Sequence, residues 1–132
     1  MNINFKNKTV LITGGEGGIG KAISNQFLNL GAKLIITTTK KNLGKVNNNK
    51  KNYMYLDFHK KKIVKDFLIK LRKIKKIDVL INNAGINKVG SINQIDEEYI
   101  NKIYEVNLIG PTLMSKEVSK IMIKNKTGKI IN

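Results

Sequence analysis

The chain has 132 residues, 25 of them Lys or Arg against 9 Asp or Glu, for a formal charge of +16 with 41% hydrophobic residues. That length holds one globular domain with its own core, and the absence of cysteine excludes disulfide scaffolds and thiolate metal sites. The positive charge comes from 24 Lys and a single Arg, Arg72, and Lys, Asn and Ile together supply 63 of the 132 residues. This is the mark of A- and T-rich codons. It argues against a specific nucleic-acid reader, which favours the bidentate guanidinium. No stretch reads as a signal peptide or a membrane span, so the expectation is a cytoplasmic chain with no specific nucleic acid and no membrane as partner.

Along the chain, short β-rich runs alternate with longer helical patterns, the signature of βαβ units around a parallel sheet. Thr9 to Thr13 reads as a buried strand. Ile19, Ala22, Ile23, Phe27 and Leu30 then recur at helical spacing, with Gly31 as the stop. Lys33 to Thr38 is a second strand, rich in β-branched residues. Lys40 to Asn52 is a polar loop with room for one helical turn, and reads as the most flexible region. Tyr53 to Phe58 gives a third strand, Ile63, Val64, Phe67, Leu68, Leu71 and Ile74 mark an amphipathic helix, and Asp78 to Asn82 forms a fourth strand. A long helical pattern from about Asp96 to Asn125 is interrupted at Gly110-Pro111, and Asp96, Glu97 and Glu98 suit the helix dipole at its start. Thr127 and Gly128 turn the chain into a fifth strand, Lys129 to Asn132. His59, the only histidine, stands beside Lys60 to Lys62 and reads as a solvated surface residue with no metal cluster to join.

Two motifs carry chemistry. Thr13-Gly14-Gly15-Glu16-Gly17-Gly18-Ile19-Gly20 lies between the first strand and the first helix. Glycines there let the backbone turn tightly and approach a pyrophosphate, while the helix N-terminus offers free N–H groups. Gly14, Gly18 and Gly20 are the key positions, at a spacing wider than Gly-x-Gly-x-x-Gly. The fourth strand runs into Asn82-Asn83-Ala84-Gly85, which sets small and amide side chains at the carboxyl end of a strand. Asn83 suits Asx-type bonds that hold a loop, and Gly85 admits a ring against the backbone.

These two motifs, in this order, resemble the short-chain dehydrogenase/reductase family. The resemblance implies an α/β fold, a Rossmann-type doubly wound parallel sheet in strand order 3-2-1-4-5, here truncated after the fifth strand. It implies NAD(P)H-dependent hydride transfer to a small carbonyl substrate, and a homo-oligomeric full-length parent. Glu16, Gly17 and Ile19 join the glycines as cofactor positions, as do Asn83, Ala84 and Gly85. Asp57 and Phe58 resemble the family's adenine-contacting pair, although Asp57 also suits a helix cap. Asp78 resembles its structural Asp, with a strand-entry turn as the plain alternative.

Asn107, in Val106-Asn107-Leu108, resembles the family's active-site Asn, whose main-chain carbonyl holds a water. The residues supply a reason, because Pro111 has no N–H for the carbonyl four residues earlier and its ring would kink the helix. A simple helix break at Gly110-Pro111 is the alternative. Cofactor choice turns on Thr38 at the end of the second strand, where no carboxylate follows and Lys40 and Lys41 would attract a 2′-phosphate. NADP is therefore favoured over NAD, although Gly17 stands where many NADP-preferring members carry a cation. The family's Ser and Tyr-x-x-x-Lys do not occur in this sequence. Residues 1–132 thus read as the cofactor half, with the catalytic half absent, and Ile130 and Ile131 as an uncovered edge. The branch most similar is the 3-oxoacyl-acyl-carrier-protein reductases. A non-catalytic dinucleotide-binding remnant or partner subunit is the alternative, and a basic nucleic-acid module the third reading.

Overall fold

A computed structural model describes residues 3–42 and 47–132; residues 43–46, within the loop where the sequence leaves room for a helical turn, lie outside the described residues. Five parallel strands, β1 (Thr9–Ile12), β2 (Lys33–Thr38), β3 (Lys51–Tyr55), β4 (Val79–Ile81) and β5 (Lys129–Ile131), form one sheet in the order β3-β2-β1-β4-β5. This is the doubly wound arrangement expected from the sequence. Helix α1 (Gly18–Asn29) covers one face, and α2 (Lys61–Leu71) and α4 (Gly110–Lys124) the other.

The alternation of side chains along each strand explains the two layers. Leu11, Ile35 and Leu80 join Phe67, Leu71, Met114 and Val118 in one buried cluster. Val10, Ile12, Leu34, Ile36, Val79 and Ile81 form the other, with Ile23, Phe27 and Leu28 of α1 packed on it. A central parallel strand is buried on both sides, so its sequence is a continuous apolar run rather than an alternating one. β5 is different: Ile130 and Ile131 remain 37% and 50% exposed.

Several boundaries move. β3 begins at Lys51, inside the segment read as loop, and ends at Tyr55 rather than Phe58. Its extent is set by pairing with β2, from Leu34 opposite Lys51 to Thr38 opposite Tyr55, and an edge strand needs no apolar run to be held there. Beyond Tyr55, Leu56 still donates its N–H to the Thr38 carbonyl, and the side chains of Leu56 and Phe58 are buried in the core. In α1, Ile19 is 75% exposed and Ala22 is also exposed, so the stripe facing the sheet is narrower than the sequence pattern. The helix does stop at Gly31, whose N–H donates to the Leu28 carbonyl while that of Ala32 donates to Phe27, the paired bonds of a Schellman ending.

The long helical pattern is three pieces. α3 (Glu97–Tyr104) is capped by Asp96, whose Oδ1 accepts from the Tyr99 N–H at 2.7 Å. A π-helical turn follows over Glu105–Ile109, and α4 continues from Gly110. Gly110 N–H donates to the Glu105 carbonyl, five residues back, directly before Pro111. The proline is thus accommodated by a widened turn, one of the ways a helix absorbs a missing donor. A short 3-10 turn at Ile92–Gln94, with a Ser91–Gln94 capping box, has no counterpart in the sequence reading.

Two carboxylates fasten this architecture. Asp78 Oδ2 accepts from Thr9 N–H at 2.9 Å, and its Oδ1 lies 3.3 Å from the ammonium groups of both Lys8 and Lys76. Burial alone would raise its pKa, but the Thr9 bond and the two lysines outweigh burial and hold it below the ordinary value. Asp78 N–H also donates to Thr9 O, and its carbonyl accepts from Lys129 N–H, so this residue ties together the amino ends of β1, β4 and β5.

Glu117, buried on α4, accepts from Arg72 Nε at 3.0 Å and lies 2.8 Å from Lys120 Nζ. The Arg72 bond, then that of Lys120, lowers its pKa from 4.5 to about 2. A depressed carboxylate stabilises the fold fully above its unfolded pKa and loses that contribution as pH falls toward the folded value. Urea midpoints should therefore decline between pH 4.5 and about 2 more steeply for the wild type than for Glu117→Gln. At neutral pH the variant should be less stable by about 1–2 kcal/mol.

Candidate functional site

β2 and β3 lie on one side of β1, and β4 and β5 on the other, so strand order reverses between β1 and β4. In an open parallel sheet the crevice beyond the carboxyl ends at that point is where a ligand fits. Here the two turns leaving those strands are stitched together. The Thr13 hydroxyl oxygen accepts from the N–H groups of Asn83 at 3.0 Å and Ala84 at 2.9 Å. The Asn83 side-chain amide donates back to the carbonyls of Thr13 at 3.0 Å and Gly14 at 3.2 Å. Gly20 closes the contact: a Cβ there would stand 2.3 Å from the Gly14 carbonyl oxygen and 2.5 Å from Asn83 Nδ2. Gly14 itself, at φ +62°, donates its N–H to Thr37 Oγ1 at 3.1 Å, which ties the turn to β2.

This stitching leaves a groove of about 720 Å³. Of the expected cofactor positions, Gly14, Glu16, Gly17, Gly18, Ile19, Gly20, Thr38, Asp57, Phe58, Asn83, Ala84 and Gly85 all line it. Gly15 is the one that does not; it is buried beneath the turn, where a Cβ would meet Ser24 Oγ at 2.9 Å and the Ile12 side chain. At the α1 end of the groove, Gly17 caps the helix without any side-chain bond, and neither Gly17 nor Gly18 has a heavy atom within 4 Å of a Cβ position. The first-turn N–H groups and the positive end of the helix dipole are thus left for an anion.

At the other end, Asp57 acts as a local cap. Its Oδ1 accepts from His59 N–H at 3.1 Å and its Oδ2 lies 3.3 Å from Lys60 Nζ. Phe58 is a wall of the groove and also a core residue, packed where a Cβ on Gly110 would fall 2.6 Å from its ring. Asn107 lies outside this groove and lines the adjoining hollow with Asn82, Ala84 and Ser115. Its side-chain amide grips the backbone of Ile86 twice, accepting from the N–H at 2.9 Å and donating to the carbonyl at 2.8 Å.

Three features escaped the sequence reading. Lys102 of α3 lines the groove, although it sits on a helix with no motif. His59 is partly exposed as expected but also paired: its Nδ1 lies 2.7 Å from Glu105 Oε2, which links the turn after β3 to the π turn. The lysines expected to meet a phosphate are both engaged, Lys40 with Glu16 at 3.3 Å and Lys41 with its ammonium 6.0 Å from the centre of the Tyr55 ring.

The two adjacent glycine environments make a paired test. Gly20→Ala should drive the turns apart and lower stability by about 3 kcal/mol, whereas Gly17→Ala should cost no more than about 1 kcal/mol as a poorer helix cap. Chemical denaturation of both variants beside the wild type measures the difference, and equal losses would contradict the stitched-turn geometry.

The model of the short chain dehydrogenase family matches residues 8–132. Among curated proteins, the chain is 34% identical over 135 residues to the 3-oxoacyl-acyl-carrier-protein reductase of Escherichia coli, covering 98% of this chain and 55% of the relative. It is 30% identical over 136 residues to the NAD-dependent glycerol dehydrogenase of Listeria innocua, covering 99% and 54%. Among solved structures, a short chain dehydrogenase from Leptospira borgpetersenii with bound NAD+ superposes with a TM-score of 0.83 at 28% identity, covering 98% of this chain and 52% of that one. The chain spans about half the length of the curated relatives it matches. With the family model covering nearly all of its residues and the sheet order and glycine turn in place, the chain belongs to the short chain dehydrogenase family.

Proposed function

We propose that residues 1–132 form the dinucleotide-binding part of an oxidoreductase that moves hydride between NAD(P)H and a carbonyl or secondary alcohol. The observation that carries this reading is the groove at the strand-order reversal, floored by the Thr13–Asn83 stitching and ending on an uncapped helix N-terminus. The residues present fit such a cofactor. Gly17 and Gly18 leave the backbone bare for a pyrophosphate, Gly14 and Gly20 let the turn close against Asn83 and Ala84 beneath it, and Ile19 would shield it from above. Asp57 would accept from the adenine amine beside Phe58, and Thr38 would meet the ribose. Asn83, Ala84 and Gly85 would border the nicotinamide side.

When bound, the cofactor supplies the hydride. Asn107 has two jobs in this reading: its amide holds the Ile86 backbone in place, and its main-chain carbonyl positions a water for proton transfer. No Tyr-x-x-x-Lys occurs in residues 1–132, so we assign this stretch binding rather than turnover. The absence of a carboxylate after Thr38 favours NADP over NAD. For the whole protein we favour a small 3-oxoacyl carbonyl as substrate, a cytoplasmic setting and a homo-oligomeric assembly, following the similarity to the reductase branch.

Titration of the chain with NADPH, followed by nicotinamide fluorescence, should show saturable binding. Gly17→Val should weaken it by about tenfold or more while leaving the far-UV circular dichroism unchanged, because Gly17 is extended at φ −124° and the space beside it is open. Binding unchanged by this substitution would overturn the phosphate-turn assignment. Consumption of NADPH by residues 1–132 with a carbonyl substrate would overturn the division between binding and turnover.

A further inference from the structure

We infer that Glu16 and Lys40 act as one specificity device, in which Glu16 restrains the preference for a 2′-phosphate that Lys40 would otherwise confer. This rests on the dinucleotide reading of the groove. In doubly wound folds the discriminating acid usually stands after the second strand, where it bonds the ribose hydroxyls and repels the phosphate. In this chain no acid follows β2 before Asp57. The carboxylate arrives from another element, the glycine turn after β1. Glu16 Oε1 lies 3.3 Å from Lys40 Nζ, and the Glu16 side chain is only 19% exposed against 71% for Lys40. Glu16 lines the groove beside Thr37, Thr38 and Thr39.

The backbone that carries each partner is anchored to β2. The Glu16 turn is tied to β2 through the bond from Gly14 N–H to Thr37 Oγ1 at 3.1 Å, and Lys40 N–H donates to Thr38 Oγ1 at 3.0 Å. An incoming 2′-phosphate therefore meets a cation whose charge is already balanced, and to use Lys40 it must displace or tolerate Glu16. A 2′-hydroxyl meets no such opposition, since it can donate to the Glu16 carboxylate. The wild type should accordingly discriminate between the two cofactors less than the β2 residues alone imply. An exposed ion pair adds little to stability, so its effect belongs to ligand choice and not to the fold.

The test is the ratio of NADPH to NADH affinity, from fluorescence titrations of the wild-type chain, Glu16→Gln, Lys40→Gln and the double variant at low ionic strength. Removing one unit charge at this range should raise the ratio about tenfold in Glu16→Gln and lower it by a similar factor in Lys40→Gln. The double variant should return close to the wild-type ratio, and all four should share one urea midpoint. If Glu16→Gln leaves the ratio unchanged while both nucleotides still bind, the device is overturned and the groove reading stands. If neither nucleotide binds the wild type, both fall together.

Discussion

The arrangement of this molecule hangs on one exchange of hydrogen bonds between the turns that leave β1 and β4. A single hydroxyl, that of Thr13, accepts from two backbone N–H groups, and a single amide, that of Asn83, donates to two backbone carbonyls. Each bond is worth only about 1 kcal/mol net, but an unpaired buried amide would cost more than that, so the set holds as a unit. Its geometry also dictates Gly20, since any side chain there would occupy the space of the Gly14 carbonyl. Asn107 adds a third strut by gripping Ile86 just beyond Gly85. Floor and wall of the groove are therefore fixed relative to one another by polar contacts spanning about seventy residues of chain.

The two ends of the sheet solve opposite problems. At the amino edge, Asp78 gathers Thr9, Lys8, Lys76 and Lys129 around one carboxylate and carbonyl, and closes the edge with charge. At the carboxyl edge the fastening is done by a hydroxyl, amides and backbone, all neutral. That difference matters for binding, because a carboxylate spent on holding the turns would cancel the positive field at the start of α1. The one acid in the glycine turn, Glu16, is itself balanced by Lys40. The field of the helix terminus is thus left intact for an anionic ligand, while the fold is still held from both ends.

What could be read from the sequence follows from what periodicity reports. Burial leaves a period, so β1, β2, β4 and the core-facing residues of α2 were legible, and the two glycine- and asparagine-bearing turns could be placed because they follow such strands. β3 was misplaced because an edge strand is defined by its partner: Lys51 and Asn52 belong to it through β2, although nothing in their own chemistry asks for a strand. Ile19 misled in the opposite sense, an apolar residue at the right spacing that faces the groove mouth instead of the core. The proline effect is read at the right residue, but the sequence does not say that a wider turn over Glu105–Ile109 absorbs the missing donor. Pairings such as His59 with Glu105 leave no trace at all, because two polar residues 46 positions apart share no pattern until the fold brings them together.

The charge of the chain then has to be read from its minority. With 25 basic residues and 9 acidic ones, an additional lysine carries little information, since codon bias supplies lysine wherever solvent tolerates it. An acid placed against that bias says more. Asp78 fastens the amino edge, Glu117 joins α2 to α4, Asp57 caps the turn before α2, Glu105 holds His59 and Asp96 caps α3. Each of these has a local structural reason to be acidic. Glu16 lacks one: it caps no helix, its partner is an exposed lysine, and its neighbours Gly15 and Gly17 need nothing from it. An acid with no structural duty, held at the rim of a groove whose expected ligands differ by one phosphate, is best explained by the ligand it meets.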